Sequence, residues 1–89
     1  MPRVRIDRGF ERAFRRLPHR IQRLAMQALI RFQETPEHPG LNFERLRGWQ
    51  DYYSIRVTRQ YRILLRREID DTGEVFAAVD IGTHEVYRR

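Results

Sequence analysis

"YYSIRVTRQYRILLRR", residues 52–67, alternates apolar and polar side chains on either side of a short polar break, as two half-buried strands joined in a hairpin do. Tyr53, Ile55 and Val57 share one face of the first strand, and Tyr61, Ile63 and Leu65 share one face of the second. Paired strands must present matching faces. Ile55 is therefore expected opposite Ile63 and Val57 opposite Tyr61, which leaves Thr58, Arg59 and Gln60 as a three-residue loop. A two-residue loop would set Val57 against Arg62 and bury a charge, so an odd loop length is expected.

The same parity carried across "DDTG" pairs Leu65 with Val79 and Ile63 with Ile81. The other face then collects Ser54, Arg56, Arg62, Leu64, Arg66 and Asp80, with Arg56 directly opposite Arg62. Like charges opposed in this way cost about 0.2–1 kcal/mol. An anionic partner would turn that cost into binding energy.

Upstream, "RVRI" at 3–6 alternates as a short strand, and Asp7 stands where a helix N-cap is expected. Phe10, Phe14 and Leu17 follow on one helical stripe until Pro18 ends it. A second helix is expected over "HRIQRLAMQALIRFQE", with Ile21, Leu24, Ala25, Ala28 and Phe32 as its apolar stripe. "TPEHPG" is a loop by its prolines and glycine. Beyond it "LNFERLRGW" and "VFAAVDI" carry further β-formers. The expected fold is α+β, an N-terminal helical hairpin packed on a small antiparallel β-sheet, with residues 1–89 as one domain.

All 18 basic residues are arginine, and the net charge is +6. Guanidinium forks suit bidentate recognition of phosphate or carboxylate, and a basic domain is the electrostatic footprint of a nucleic-acid binder. Cysteine is absent, which excludes disulfides and thiolate metal sites and fits a reducing compartment. The three histidines lack ligand spacing, so neither a metal nor a cofactor is expected. No phosphate-binding glycine loop, nucleotide fingerprint or serine–histidine–aspartate arrangement occurs. With no membrane-spanning apolar run and no signal-peptide core, the expected location is the cytoplasm.

The segment "AAVDIGTHEVYRR" brings further chemistry towards the arginine face if it turns back at Gly82. Metal-free RNA cleavage needs a base for the ribose 2′-OH, a cation for the crowded phosphorane and an acid for the departing 5′-oxygen. Arginine can supply the second role, and His84, Glu85, Asp80 or Tyr87 the others. Each has a plainer alternative: His84 as a surface residue, Tyr87 packing on the core edge, Asp80 pairing with Arg62 or Arg66. Arg59 at the hairpin tip is solvated or clamps a phosphate, and Trp49 either stacks on a base or anchors the hairpin. Arg12, Arg15, Arg16, Arg20 and Arg23 read as a solvated helical face that can also meet an acidic partner.

Two helices followed by "LNFERLRGW", "IRVTRQYRI" and "DIGTHEVYRR" resemble the RelE/ParE superfamily of toxins from type II toxin–antitoxin systems, over nearly the whole chain. The resemblance implies a metal-independent, ribosome-dependent endoribonuclease that cuts mRNA in the ribosomal A site and is held inactive by an acidic cognate antitoxin. Arg62 would stabilise the phosphate, with His84 and Tyr87 as the other catalytic residues. Arg56, with Arg59 and Arg66, would contact the RNA, leaving Asp80 and Glu85 as further candidates for the base. Ser54 stands where the RelE branch has a lysine proposed as base, a role serine does not fill at neutral pH. The ParE branch, which poisons DNA gyrase, and a noncatalytic RNA- or ribosome-binding module are the alternatives; His84 and Tyr87 favour the ribonuclease.

Overall fold

The computed structural model describes residues 1–83. The elements run β1 (Val4–Ile6), α1 (Arg8–Arg15), α2 (His19–Glu34), a 3-10 turn (Pro39–Leu41), β2 (Glu44–Arg45), β3 (Tyr52–Arg56), β4 (Arg62–Asp70) and β5 (Gly73–Gly82). The strands form one sheet in the order β1-β5-β4-β3-β2. The helical pair and the hairpin order expected from sequence are both present. β1 adds a parallel edge to the otherwise antiparallel sheet, with Val4 opposite Phe76 and Ile6 opposite Ala78.

The core lies on the face of the sheet that the hairpin parity assigns to apolar residues. Ile55, Ile63 and Leu65 are fully buried there with Phe76, Ala78 and Ile81. Ala25, Ala28, Leu29 and Phe32 of α2 and Phe10 of α1 complete the cluster. Leu29 replaces Leu24 on the buried stripe of α2, Leu24 being half-buried. Phe32 meets the rings of Phe43 and Phe76 at 4.9 and 5.3 Å, edge to face, an arrangement that aromatic quadrupoles favour.

The hairpin register holds as expected: Ile55 faces Ile63, Arg56 faces Arg62, and the Val57 amide donates to the Tyr61 carbonyl. Thr58 shapes the three-residue loop, its hydroxyl accepting the amides of Gln60 and Tyr61 at 3.2 and 3.1 Å. On the next pair, Ile63 faces Ile81 as expected, but Leu65 faces Ala78 and not Val79. A β-bulge between Leu64 and Leu65 shifts the register there. Parity assumes one residue against one, and an inserted residue breaks that count. At the bulge α1 comes very close to the sheet: a Cβ on Gly9 would lie 2.7 Å from the Val79 carbonyl oxygen. Glycine is the residue that permits this approach.

Asp7 occupies the N-cap position of α1 and its carbonyl accepts the Glu11 amide, yet its side chain caps nothing. The carboxylate turns to the sheet instead. Among the described residues, no helix is long and apolar enough to cross a membrane.

Candidate functional site

The second face of the sheet is built from the alternate residues of the same strands. Across it run two rows of side chains: Arg5, Ala77, Arg66 and Tyr52 in one, and Gly82, Arg62 and Arg56 in the other. Between them lies a row of Asp80, Leu64, Ser54 and Glu44. Leu64, Ser54 and Ala77 are buried and form a floor.

The two arginine rows differ in how their charge is met. Arg66 donates from Nε to Glu68 at 2.6 Å and from Nη2 to Asp7 at 3.3 Å. Arg5 reaches the same two carboxylates, Asp7 at 3.0 Å and Glu68 at 2.8 Å. The Tyr52 hydroxyl and the Glu68 carboxylate raise the Arg66 pKa, and Arg66 and Arg5 together hold the Glu68 carboxyl below its ordinary value. Arg3 pairs with Asp70, and Arg67 with Glu74 and more loosely with Asp51.

Arg56 and Arg62 have no such partner among the described residues. Arg56 is exposed; Arg62 is half-buried, and its Nη1 is shielded from solvent with no hydrogen-bond acceptor. The strand neighbour of Arg62 on β5 is Gly82, which brings no side chain. Ser54, 1% exposed, is diagonal to Arg62 on the same face and also has a side-chain oxygen without a partner. Buried polar groups are nearly always satisfied, so two orphans at diagonal positions of one sheet face set this part of the face apart.

The structure thus gathers Arg56, Arg62, Arg66 and Asp80 on one face, as the sequence predicts, but separates Arg66 from the others by neutralising it. Asp80 sits beside Leu64, two residue pairs from Arg62 on the same face, and its Oδ1 accepts the Ile81 amide at 2.8 Å. Arg59 is exposed at the hairpin tip. His84, Glu85 and Tyr87 lie outside the described residues. No group of three or more histidine, aspartate or glutamate side chains among the described residues could hold a metal. His38 has a structural task, its Nδ1 accepting the Gly40 amide at 3.0 Å in the 3-10 turn.

Three features go beyond the sequence expectations: the Asp7–Glu68 clasp, the Tyr52 contact to Arg66 and the unsatisfied Ser54 hydroxyl. Glu68 is within reach of a sequence argument, because it shares a face with Arg66 two residues earlier on the same strand. Asp7 is not, since its meeting with Arg66 depends on β1 pairing with β5.

Residues 19–89 match the family model of the ParE-like toxin domain. The chain belongs to that family. Among solved structures, this ParE-like chain is similar to the YoeB/ParE toxin from Agrobacterium tumefaciens, with a TM-score of 0.73 and 17% identity over 92% of this chain and 98% of that one. It is also similar to a chain of the intact E. coli RelBE toxin–antitoxin complex, with a TM-score of 0.69 and 22% identity over 96% and 99% of the two chains. A chain of the Mycobacterium tuberculosis RelBE2 toxin–antitoxin complex matches at 25% identity and a TM-score of 0.60, over 94% of this chain and all 100% of that one. The ParE-like chain therefore has the toxin fold of toxin–antitoxin systems. No curated protein sequence matches it significantly.

Proposed function

We propose that this ParE-like chain is a metal-independent, ribosome-dependent mRNA endoribonuclease, the toxin of a toxin–antitoxin pair. The observation that carries this reading is the selective pairing of the arginines. Arg3, Arg5, Arg66 and Arg67 each meet a carboxylate, whereas Arg56 and Arg62 face each other across β3 and β4 and meet none among the described residues. A scissile phosphate drawn to the exposed Arg56 would take up donors from Arg62 and from the Ser54 hydroxyl once these shielded groups turn towards it.

Cleavage would then proceed by attack of the ribose 2′-oxygen on phosphorus. A base removes the 2′-OH proton, Arg62 stabilises the phosphorane dianion, and the P–O5′ bond breaks as an acid protonates O5′, leaving a 2′,3′-cyclic phosphate. Asp80 is one candidate base on the described face, and His84, Glu85 and Tyr87 are the candidates from the segment beyond it. The acidic antitoxin would neutralise the same arginines.

The ParE-like family match favours a second reading, inhibition of DNA gyrase. Mapping mRNA 5′ ends in a purified translation reaction, with and without ribosomes and with wild type beside Arg62→Ala, separates the two. Cuts that need both ribosomes and Arg62 support the ribonuclease. Intact mRNA together with loss of gyrase supercoiling activity would transfer the reading to gyrase.

A further inference from the structure

Trp49 meets the hairpin at Tyr52 but does not tie it to the core. It lies in the turn that links β2 to β3, outside the buried core, and is only half-buried. Its ring meets Tyr52 at 5.3 Å and 89°, edge to face, so the two rings do not close on each other by stacking. Arg45, Leu46, Arg47, Gly48 and Gln50 surround it in an open depression of about 580 Å³.

Two residues of this turn have left-handed backbones. Gly48 has φ +81°, and a Cβ built on it would meet nothing within 4 Å. Asp51 has φ 64°, a left-handed conformation uncommon for a residue with a side chain. Arg45 and Arg47 are both exposed, and neither meets a carboxylate among the described residues. Exposed arginines and a half-buried indole that line one open depression are the components of a single-stranded nucleic-acid subsite, since phosphates bind to the cations and bases stack on the ring.

Position ties this subsite to the phosphate site. Tyr52, the partner of Trp49, stands in the row of Arg66, on the same strand as Arg56 and two cross-strand pairs beyond Ser54. At about 3.4 Å per residue the two arginine rows are roughly 14 Å apart, a span that a short run of extended nucleotides bridges across the floor of Leu64 and Ser54.

We infer that the depression around Trp49 is a nucleobase-stacking subsite for single-stranded RNA, which fixes the substrate a few nucleotides from the phosphate held at Arg62. This inference rests on the ribonuclease reading. The subsite acts on binding and on the choice of cut site, not on the chemical step.

The test is the ribosome-dependent cleavage assay run with wild type, Trp49→Ala and Trp49→Phe, reading both rates and the spectrum of cut sites. Losing one stacked base is expected to lower kcat/KM about tenfold, chiefly through KM, and to flatten the base preference at one position near the cut. Trp49→Phe keeps a ring and should restore most of both. If Trp49→Ala cuts with wild-type KM at wild-type sites, the inference is overturned while the ribonuclease reading stands. If wild type itself leaves mRNA intact, both are overturned.

Discussion

Arg56 and Arg62 stand directly opposite one another across the β3–β4 hairpin, and no carboxylate of the described residues comes between them. Four other arginines, Arg3, Arg5, Arg66 and Arg67, do meet carboxylates, two of which clasp both Arg5 and Arg66. Opposed like charges weaken the sheet. Removing either should therefore harm activity and spare stability. Arg62→Ala is expected to abolish cleavage while thermal unfolding shows unchanged or slightly higher stability, by up to about 1 kcal/mol. A collapsed melting curve would instead make Arg62 a structural residue.

Ser54→Ala probes the other orphan. A buried hydroxyl without a partner costs about 1–3 kcal/mol, so the alanine variant should be at least as stable as wild type in urea. Cleavage should nevertheless fall, because the phosphate loses a donor. Full activity would remove Ser54 from the site.

Glu68→Gln should release Arg66. Glu68 holds Arg66 and Arg5 at once, and with its charge gone a second row of cations opens to RNA. For each additional phosphate that the released cations neutralise, the slope of log affinity against log salt is expected to steepen by about 0.7. Filter binding of a single-stranded RNA across a salt series reads this directly. An unchanged slope would mean that Asp7 alone keeps Arg66 neutral.

Gly9→Ala should destabilise the fold. Alanine gains helix propensity, but its Cβ would lie 2.7 Å from the Val79 carbonyl oxygen, which belongs to the sheet backbone and cannot step aside. Overpacking of this kind costs about 1–3 kcal/mol, or roughly 4–8 °C in melting temperature per kcal/mol for a domain of this size. Gly48→Ala, with nothing within 4 Å of its Cβ, lacks this clash and costs only its backbone strain at φ +81°.

Acid should loosen the end of the β4–β5 hairpin first. Hydrogen bonds from Arg3 and then Thr72 hold the Asp70 carboxyl well below its ordinary value of 3.8. Its folded pKa is depressed, so its contribution is complete above that ordinary value and fades as pH falls through the lowered one. The protection of the amides in this hairpin, taken relative to their intrinsic exchange rate at each pH, should fall on acidification below about pH 4, and Asp70→Asn should show the looser state already at neutral pH. Equal protection in the two proteins at neutral pH would show that the Arg3 contact does nothing for the hairpin.

Much of this fold is legible in the chain. The match of Ile55 with Ile63 and of Ile63 with Ile81 follows from side-chain alternation, because a slip of one residue would expose the apolar face. The opposition of Arg56 and Arg62 follows from the same count. Leu65 against Ala78 does not, since the bulge is an event between two strands and neither sequence shows it alone. Asp7 departs from its expected capping role for a related reason. Its position beside a helix suggests a cap, but Arg5 on β1 and Arg66, 59 positions away on β4, each offer a guanidinium, and the carboxylate gives one oxygen to each of them.

The parallel pairing of β1 with β5 also bears on the order of synthesis. The first strand of the sheet to be made pairs with β5, the last of the five, which lies inside the sheet between β1 and β4. Until Phe76, Ala78 and Ile81 have been added, Phe10 and Val4 lack the surface they pack on. A nascent chain therefore holds most of its arginines in an unfolded state, and contacts between such distant positions form late. Translation cut short before β5 leaves β1 and β4 without the strand that lies between them, so the sheet closes in one step, once β5 has been made, and not by degrees.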